Sequence, residues 1–180
     1  MTILYTRVTV DRLGVLIGPS GATKQRLEEA TGTQVSVDSG TGDVTIAETS
    51  KTEPVMALKA RDVVVAIGRG FSAEHAFRLL KEDMYLEVLD IKDFAHSRNR
   101  IAQVKARLIG THGKTRRLIE ELTGVDMCVE GHTVSLIGDP FRMAIAREAV
   151  TMLLRGSEHA TVYRFLERKR AEIKAWEMGL

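Results

Sequence analysis

One cysteine, three prolines and one tryptophan are all that 180 residues contain, and aromatic residues make up only 5% of the chain. A single thiol, Cys128, excludes an internal disulfide. It lies in the apolar run Val125-Asp126-Met127-Cys128-Val129 and reads as a buried strand residue. So few rings exclude an aromatic stacking platform as the main binding device. Side-chain amides are also scarce, with only Gln25, Gln34, Asn99 and Gln103, a depletion found in heat-adapted proteins. No apolar run approaches the roughly 20 residues that cross a bilayer. Residues Met1–Arg7 lack the charged-then-apolar plan of a signal peptide, so a cytoplasmic location is expected. The histidines His75, His96, His112, His132 and His159 are scattered, and no Cys or His pair has ligand spacing. No metal, cofactor or catalytic role is expected.

Charge is balanced overall, at +2, but not locally. Residues 1–88 carry 10 Lys/Arg against 12 Asp/Glu, and residues 89–180 carry 16 against 12. From Phe94 to Ile119 there is no acidic residue, while Arg98, Arg100, Lys105, Arg107, Lys114, Arg116 and Arg117 are all basic. Solvated helix faces usually mix both signs. A single-sign cluster of this kind suits a phosphate backbone.

The chain repeats itself. Ile17-Gly18-Pro19-Ser20-Gly21-Ala22-Thr23-Lys24-Gln25-Arg26-Leu27-Glu28-Glu29-Ala30-Thr31-Gly32 aligns with the sixteen residues from Ile109 to Gly124 at an offset of 92, with eight identities. Chance would give about one. Ala60-Arg61-Asp62 further resembles Ala146-Arg147-Glu148, and Pro54 corresponds to Pro140. Two units are expected, 1–84 and 85–180.

Each unit predicts the same element order. Alternation marks a strand over Ile3 to Val10, and Asp11 is placed to cap a short helix ending at Gly18. A helix from Ala22 to Thr31 stops at Gly32. Strands follow at Val35–Val37 and Val44–Ile46 across a Gly-rich turn. Thr52 and Pro54 are placed to open a third helix. A trailing helix is expected from Ser72 to about Asp83. In the second unit the strand is Tyr85–Ile91 and the helices begin at Arg100, Lys114 and Asp139-Pro140. Strands are expected at Val125–Val129 and Thr133–Ile137, and a trailing helix from about Ser157 to Met178. The class is α+β: two β-α-α-β-β-α modules, each a three-stranded sheet packed on helices with an added trailing helix.

Between the first two helices of each unit stands Gly-x-x-Gly: Gly18-Pro19-Ser20-Gly21 and Gly110-Thr111-His112-Gly113. A bend this tight needs glycine at both ends, and it lets a sugar-phosphate chain approach the main chain. Amides at the start of the following helix are expected to face outward, where the helix dipole favours negative charge. Gly113-Lys114-Thr115 mimics the end of a nucleotide-binding loop, but that motif needs glycine where Leu108 stands. Nucleotide hydrolysis is therefore not indicated.

An apolar residue, Gly-x-x-Gly, an amphipathic helix, Thr-Gly, a β-hairpin and a helix, twice over, resemble the KH family. Modules of that family hold about four nucleotides across the glycine loop. The stretch Ala66-Ile67-Gly68-Arg69-Gly70-Phe71-Ser72 is similar to a narrower group, the small-subunit ribosome-assembly proteins known as partners of Nob, in their archaeal form. That resemblance implies single-stranded RNA binding near the 3′ end of 16S rRNA. It also implies association with the Nob endonuclease and with the alpha subunit of translation initiation factor 2.

The residues expected to touch RNA are Arg107, Ile109, Gly110, Thr111, His112, Gly113, Lys114, Arg116 and Arg117 in the second unit. In the first they are Gly18, Pro19, Ser20, Gly21 and Lys24. Only the second loop is followed at once by cations, so the second unit is expected to supply most of the affinity. His112 either meets RNA or is a solvated loop residue. Ile109, Ile119 and Met127 are either a groove floor or core. Arg69 and Arg155 either cap the third helices electrostatically or contact RNA, and Trp176 is placed to pack the trailing helix. Arg164, Arg168, Lys169, Arg170 and Lys174 either extend the RNA surface or form a solvated face. The alternative reading is a protein-docking scaffold of KH shape with little RNA binding of its own.

Overall fold

The computed structural model describes residues 1–180 and divides into two compact units, Met1–Glu82 and Asp83–Leu180. The first contains β1 (Ile3–Arg7), α1 (Val10–Ile17), α2 (Ala22–Thr31), β2 (Gln34–Val37), β3 (Asp43–Ala47), α3 (Met56–Gly68) and α4 (Ala73–Phe77). The second contains β4 (Tyr85–Asp90), α5 (Arg98–Ile109), α6 (Lys114–Thr123), β5 (Asp126–Glu130), β6 (Thr133–Gly138), α7 (Pro140–Leu154) and α8 (His159–Glu177).

Each sheet is antiparallel with its last strand in the middle, in the orders β1-β3-β2 and β4-β6-β5. Leu4 and Val35 both stand opposite Ile46, and Leu86 and Asp126 both stand opposite Ile137. In the first unit Val35, Val44 and Ile46 are buried along with Leu16, Leu27, Val63 and Ile67 of the helices. In the second, Leu108, Ile119, Met127, Leu136, Ala146, Val150 and Leu166 belong to one buried cluster. Every residue of β6 is buried, as expected for a strand paired on both edges and covered by helices.

Local chemistry sets most boundaries. Gly32 and Gly124 end α2 and α6 in the left-handed conformation, each returning its amide to the carbonyl four residues back. Asp139 caps α7, its carboxylate accepting from the Arg142 amide at 3.0 Å, with Pro140 in the first turn. Ser97 does the same for α5 through the Arg100 amide at 3.1 Å.

Several boundaries differ from expectation. β1 stops at Arg7, and Val10 already belongs to α1. Thr9 is the N-cap residue there, so Asp11 lies in the first turn and acts on the helix dipole instead of capping. Thr52 does not open α3. Its hydroxyl and that of Thr49 donate to the Gly32 carbonyl at 2.7 and 2.5 Å, which ties this segment to the end of α2. The helix starts two residues after Pro54, past Val55 at φ +73°. The first trailing helix is short: α4 gives way to a 3-10 turn at Arg78–Leu80, where the Lys59 ammonium takes the carbonyls of Leu79 and Lys81. Cys128 is half-buried on β5. Trp176 stacks on Phe141 of α7 with ring centroids 4.9 Å apart, so it does pack the trailing helix. No helix is long and apolar enough to cross a membrane.

Candidate nucleic-acid interface

The two Gly-x-x-Gly bends have nearly the same backbone. Gly18 and Gly110 hold φ +75° and +77° with ψ 176° and 173°. Ser20 and His112 both sit at φ +53°, and Gly21 and Gly113 at +78° and +75°. Two different steric demands lie behind the glycines. A Cβ on Gly18 would stand 2.2 Å from the Thr23 hydroxyl, and one on Gly110 would stand 2.3 Å from the Thr115 hydroxyl. The first glycine therefore packs against the start of the following helix. At Gly21 a Cβ would meet nothing within 4 Å, and at Gly113 only the tips of Arg116 and Arg117, at 3.8 and 4.0 Å. The second glycine keeps an outer face bare, and in the second unit two guanidinium groups flank it.

Thr111, His112 and Lys114 are exposed, as are Pro19 and Ser20, so neither bend is packed beneath other parts of its unit. The amides are less available than expected. Those of Gly110, Gly113 and Lys114 bond to the carbonyls of Ala106, Gly110 and Thr111. In the first bend Gly18, Gly21 and Ala22 make the matching bonds to Gly14, Gly18 and Pro19. These amides shape the bend. What it offers a polyanion is close approach and positive charge.

Side chains around the bend sort into frame and surface. Arg107 is frame: its guanidinium donates to the Leu153 carbonyl at 3.2 Å and to the Ser157 carbonyl. It therefore faces the end of α7, away from the role the cationic run gives it. In the first unit Arg12 takes the matching carbonyls, Ile67 at 2.9 Å and Phe71 at 2.7 Å. These two arginines, not Arg69 and Arg155, satisfy the ends of the third helices. Arg116 is shared between frame and surface. It pairs with Glu120 at 2.5 Å, and the other Glu120 oxygen accepts the Met127 amide at 3.2 Å. Lys24 pairs with Glu28 at 3.4 Å, and Glu28 accepts the Val35 amide at 3.0 Å. Glu28 and Glu120 thus lock their helices to the adjoining strand, whereas helix position alone would leave them in solvent. Ile119 and Met127 are core, and Ile109 is half-buried beside the bend.

Two exposed cations of the second bend remain outside any ion pair, Lys114 and Arg117. Their counterparts in the first unit are Ala22 and Gln25, and the nearby Arg26 lies over the Phe77 ring at 4.2 Å. Sequence reading missed three residues that hold the second bend. Thr115, 1% exposed, shares a 2.9 Å hydrogen bond with the Tyr163 hydroxyl. His159 donates through Nε2 to the Arg107 carbonyl at 2.9 Å. The Thr23/Thr115 identity was the available signal for the first of these. The likeness of Glu74-His75-Ala76 to Glu158-His159-Ala160 marked His159 as a repeated position, and nothing in the sequence pointed to Tyr163. No group of three His, Cys, Asp or Glu side chains is placed to hold a metal ion.

Two β-α-α-β-β-α units, each with a Gly-x-x-Gly bend between its first two helices, define a tandem KH protein. The eukaryotic-type (type I) KH domain pattern, in the form of the second domain of PNO1 proteins, matches residues 85–171. The general KH domain pattern matches residues 5–64. A KH domain-containing protein of Methanocaldococcus jannaschii is 48% identical over 174 residues, covering 96% of this chain and 76% of that protein. Dim2p from Pyrococcus horikoshii is 46% identical with a TM-score of 0.88, over 93% of this chain and 99% of that one. The a/eIF2alpha–aDim2p–rRNA complex of the same organism contains a chain 45% identical with a TM-score of 0.90, over 95% of both chains. A protein of unknown function from Aeropyrum pernix is 41% identical with a TM-score of 0.92, over 98% of this chain and 95% of that one. The chain belongs to the KH-domain family of RNA-binding proteins, in the tandem form of the archaeal Dim2p and PNO1 homologues.

Proposed function

We propose that the chain binds single-stranded RNA of the 3′ region of 16S rRNA during small-subunit assembly and pre-rRNA processing, and that the second unit supplies most of the grip. The observation that carries this is the bare outer face of Gly113, flanked by the Arg116 and Arg117 guanidinium groups with Lys114 beside it. A phosphate chain laid over Gly113 meets no Cβ, with Lys114 and Arg117 outside any ion pair and Arg116 shared with Glu120. Thr111, His112 and Ile109 line the same bend. The first unit, through Gly18, Pro19, Ser20 and Gly21, adds weaker contacts, because Lys24 and Arg26 are engaged elsewhere. The rRNA-bound Dim2p relative supports the choice of target, and its complex with a/eIF2alpha supports the alpha subunit of initiation factor 2 as a partner. The Nob endonuclease is proposed as a second partner on the family resemblance alone.

Titration with single-stranded RNA at two salt concentrations tests the site. Gly113→Asp should weaken binding by about 150-fold, since a like charge against phosphate costs about 3 kcal/mol. Its Cβ makes only ordinary contacts with the Arg116 and Arg117 tips, and aspartate is among the residues that tolerate a left-handed φ, so the fold should survive. Replacing Lys114 and Arg117 together by Ala should weaken binding to all sequences and flatten the salt slope by about 0.7 per cation. A Gly113→Asp protein that binds like the parent overturns the site.

A further inference from the structure

The trailing helices of the two units are unequal. α4 has five residues, whereas α8 has 19 and reaches the glycine bend of its own unit. Two contacts make this approach. His159 donates to the Arg107 carbonyl, in the last turn before the bend, and Tyr163 bonds Thr115, in the first turn after it. The two rings stack with centroids 5.9 Å apart. Val162, Phe165 and Leu166 of the same helix are buried and fix it in place. With Glu74-His75-Ala76 set against Glu158-His159-Ala160, the first unit has Leu79 at the position of Tyr163, buried in a 3-10 turn.

Beyond Tyr163 lies a shallow groove of about 570 Å³ lined by Thr161, Tyr163, Arg164, Glu167 and Arg168. The charges of α8 divide around it. Lys169 pairs with Glu172 at 3.2 Å, and Arg170 with Glu167 at 4.0 Å. Arg164 and Arg168, one turn apart on the groove, are exposed and pair with no carboxylate; Arg164 only reaches the Thr161 hydroxyl, at 3.4 Å. The unpaired arginines thus lie on the part of α8 that continues from the bend.

We propose that single-stranded RNA crossing the second Gly-x-x-Gly bend continues onto α8, where Arg164 and Arg168 take further phosphates. This rests on the reading of Gly110–Gly113 as the RNA grip and extends it. A KH groove alone holds about four nucleotides, so the extension lengthens the footprint of the second unit only. Phosphate is favoured over a protein partner because two arginines on one rigid face, continuous with a polyanion site, add to the same field.

The test compares two probes on the full chain: an RNA of about four nucleotides, the length a KH groove holds, and RNAs of about eight extending the same core at either end. Arg164→Gln with Arg168→Gln should leave the short RNA unaffected. It should weaken at least one extended RNA by about tenfold and lower its salt slope by about 1.4, or 0.7 for each of two cations. Equal loss on short and long RNA, or no loss on either, overturns the extension. So does unchanged RNA binding together with lost binding to purified initiation factor alpha subunit, which would make the groove a protein surface. Gly113→Asp run alongside separates the two readings. If it weakens neither probe the bend itself is misassigned, whereas if it weakens both, failure of the arginine pair counts against α8 alone.

Discussion

Pro19-Ser20 and Thr111-His112 occupy bends whose φ and ψ agree within a few degrees at Gly18 and Gly110, at Ser20 and His112, and at Gly21 and Gly113. The same amides close both turns. Beyond the backbone the two bends part. The first is followed by Ala22 and Gln25, and the second by Lys114 and Arg117 at the same helical positions. The first unit closes with a five-residue helix, and the second with a 19-residue helix fastened to both sides of its bend. Duplication has kept what the turn needs sterically and let vary what it presents to a ligand. The shape of a Gly-x-x-Gly bend is therefore no measure of how strongly it grips RNA.

The largest effect should strike both units alike. Gly18→Ala and Gly110→Ala each drive a methyl group to within about 2.3 Å of a threonine hydroxyl while holding alanine at a positive φ. Each should cost about 3 kcal/mol, the range of overpacking plus backbone strain. Gly21→Ala and Gly113→Ala carry the strain without the clash and should cost about 1 kcal/mol. Denaturant unfolding of the four variants measures both differences. If Gly110→Ala were as mild as Gly113→Ala, the steric division between the two glycines would be wrong.

The next effect sharpens the contrast in charge. Ala22→Lys with Gln25→Arg gives the first bend the two cations that Lys114 and Arg117 supply to the second. If charge alone separates the units, single-stranded RNA should bind the double variant several-fold more tightly, with a salt slope steeper by about 1.4. The measurement is clearest in a background carrying Gly113→Asp, where the first unit is the principal remaining site. No gain there would mean that the first bend lacks something besides cations, and the missing support of a long trailing helix would be the leading difference.

How far the sequence carried the fold follows from where the constraints lie. The bounds of α2 and α6 are legible to the residue, because Gly-x-x-Gly precedes each and Thr-Gly ends it. Asp139-Pro140 marks the start of α7 for the same local reason. The start of α3 is not legible, since Thr52 and Pro54 carry the usual signals while the Thr52 hydroxyl is spent on Gly32, twenty residues away. The site divides in the same way. The bend and its cations stand in the sequence, but neighbours in the chain cannot show that Arg107 turns to the Leu153 carbonyl or that Glu120 holds the Met127 amide. Arg12 and Arg107 make the point most clearly. They occupy non-equivalent positions in their helices, six and three residues before the glycine, yet clamp matching carbonyls. No alignment of the two units would pair them.

The smallest expected effect concerns the third helices, where the aligned acids Asp62 and Glu148 differ in surroundings. Glu148 is exposed on α7, whereas Asp62 is half-buried on α3, and burial pushes its carboxyl above the ordinary aspartate range against the pull of Arg61 and Lys59. An acid whose folded pKa is raised favours the protonated native state, so its ionised form costs stability at neutral pH. That cost should disappear as the pH falls below the unfolded aspartate value near 3.9. Asp62→Asn should therefore raise Tm slightly at pH 7 and leave it unchanged near pH 3, while Glu148→Gln should leave Tm unchanged at both. Melting curves at the two pH values decide the matter. A gain from Asp62→Asn that persists in acid would show that the asparagine acts through packing or a new hydrogen bond. The burial of a charge would then not be what distinguishes the two helices.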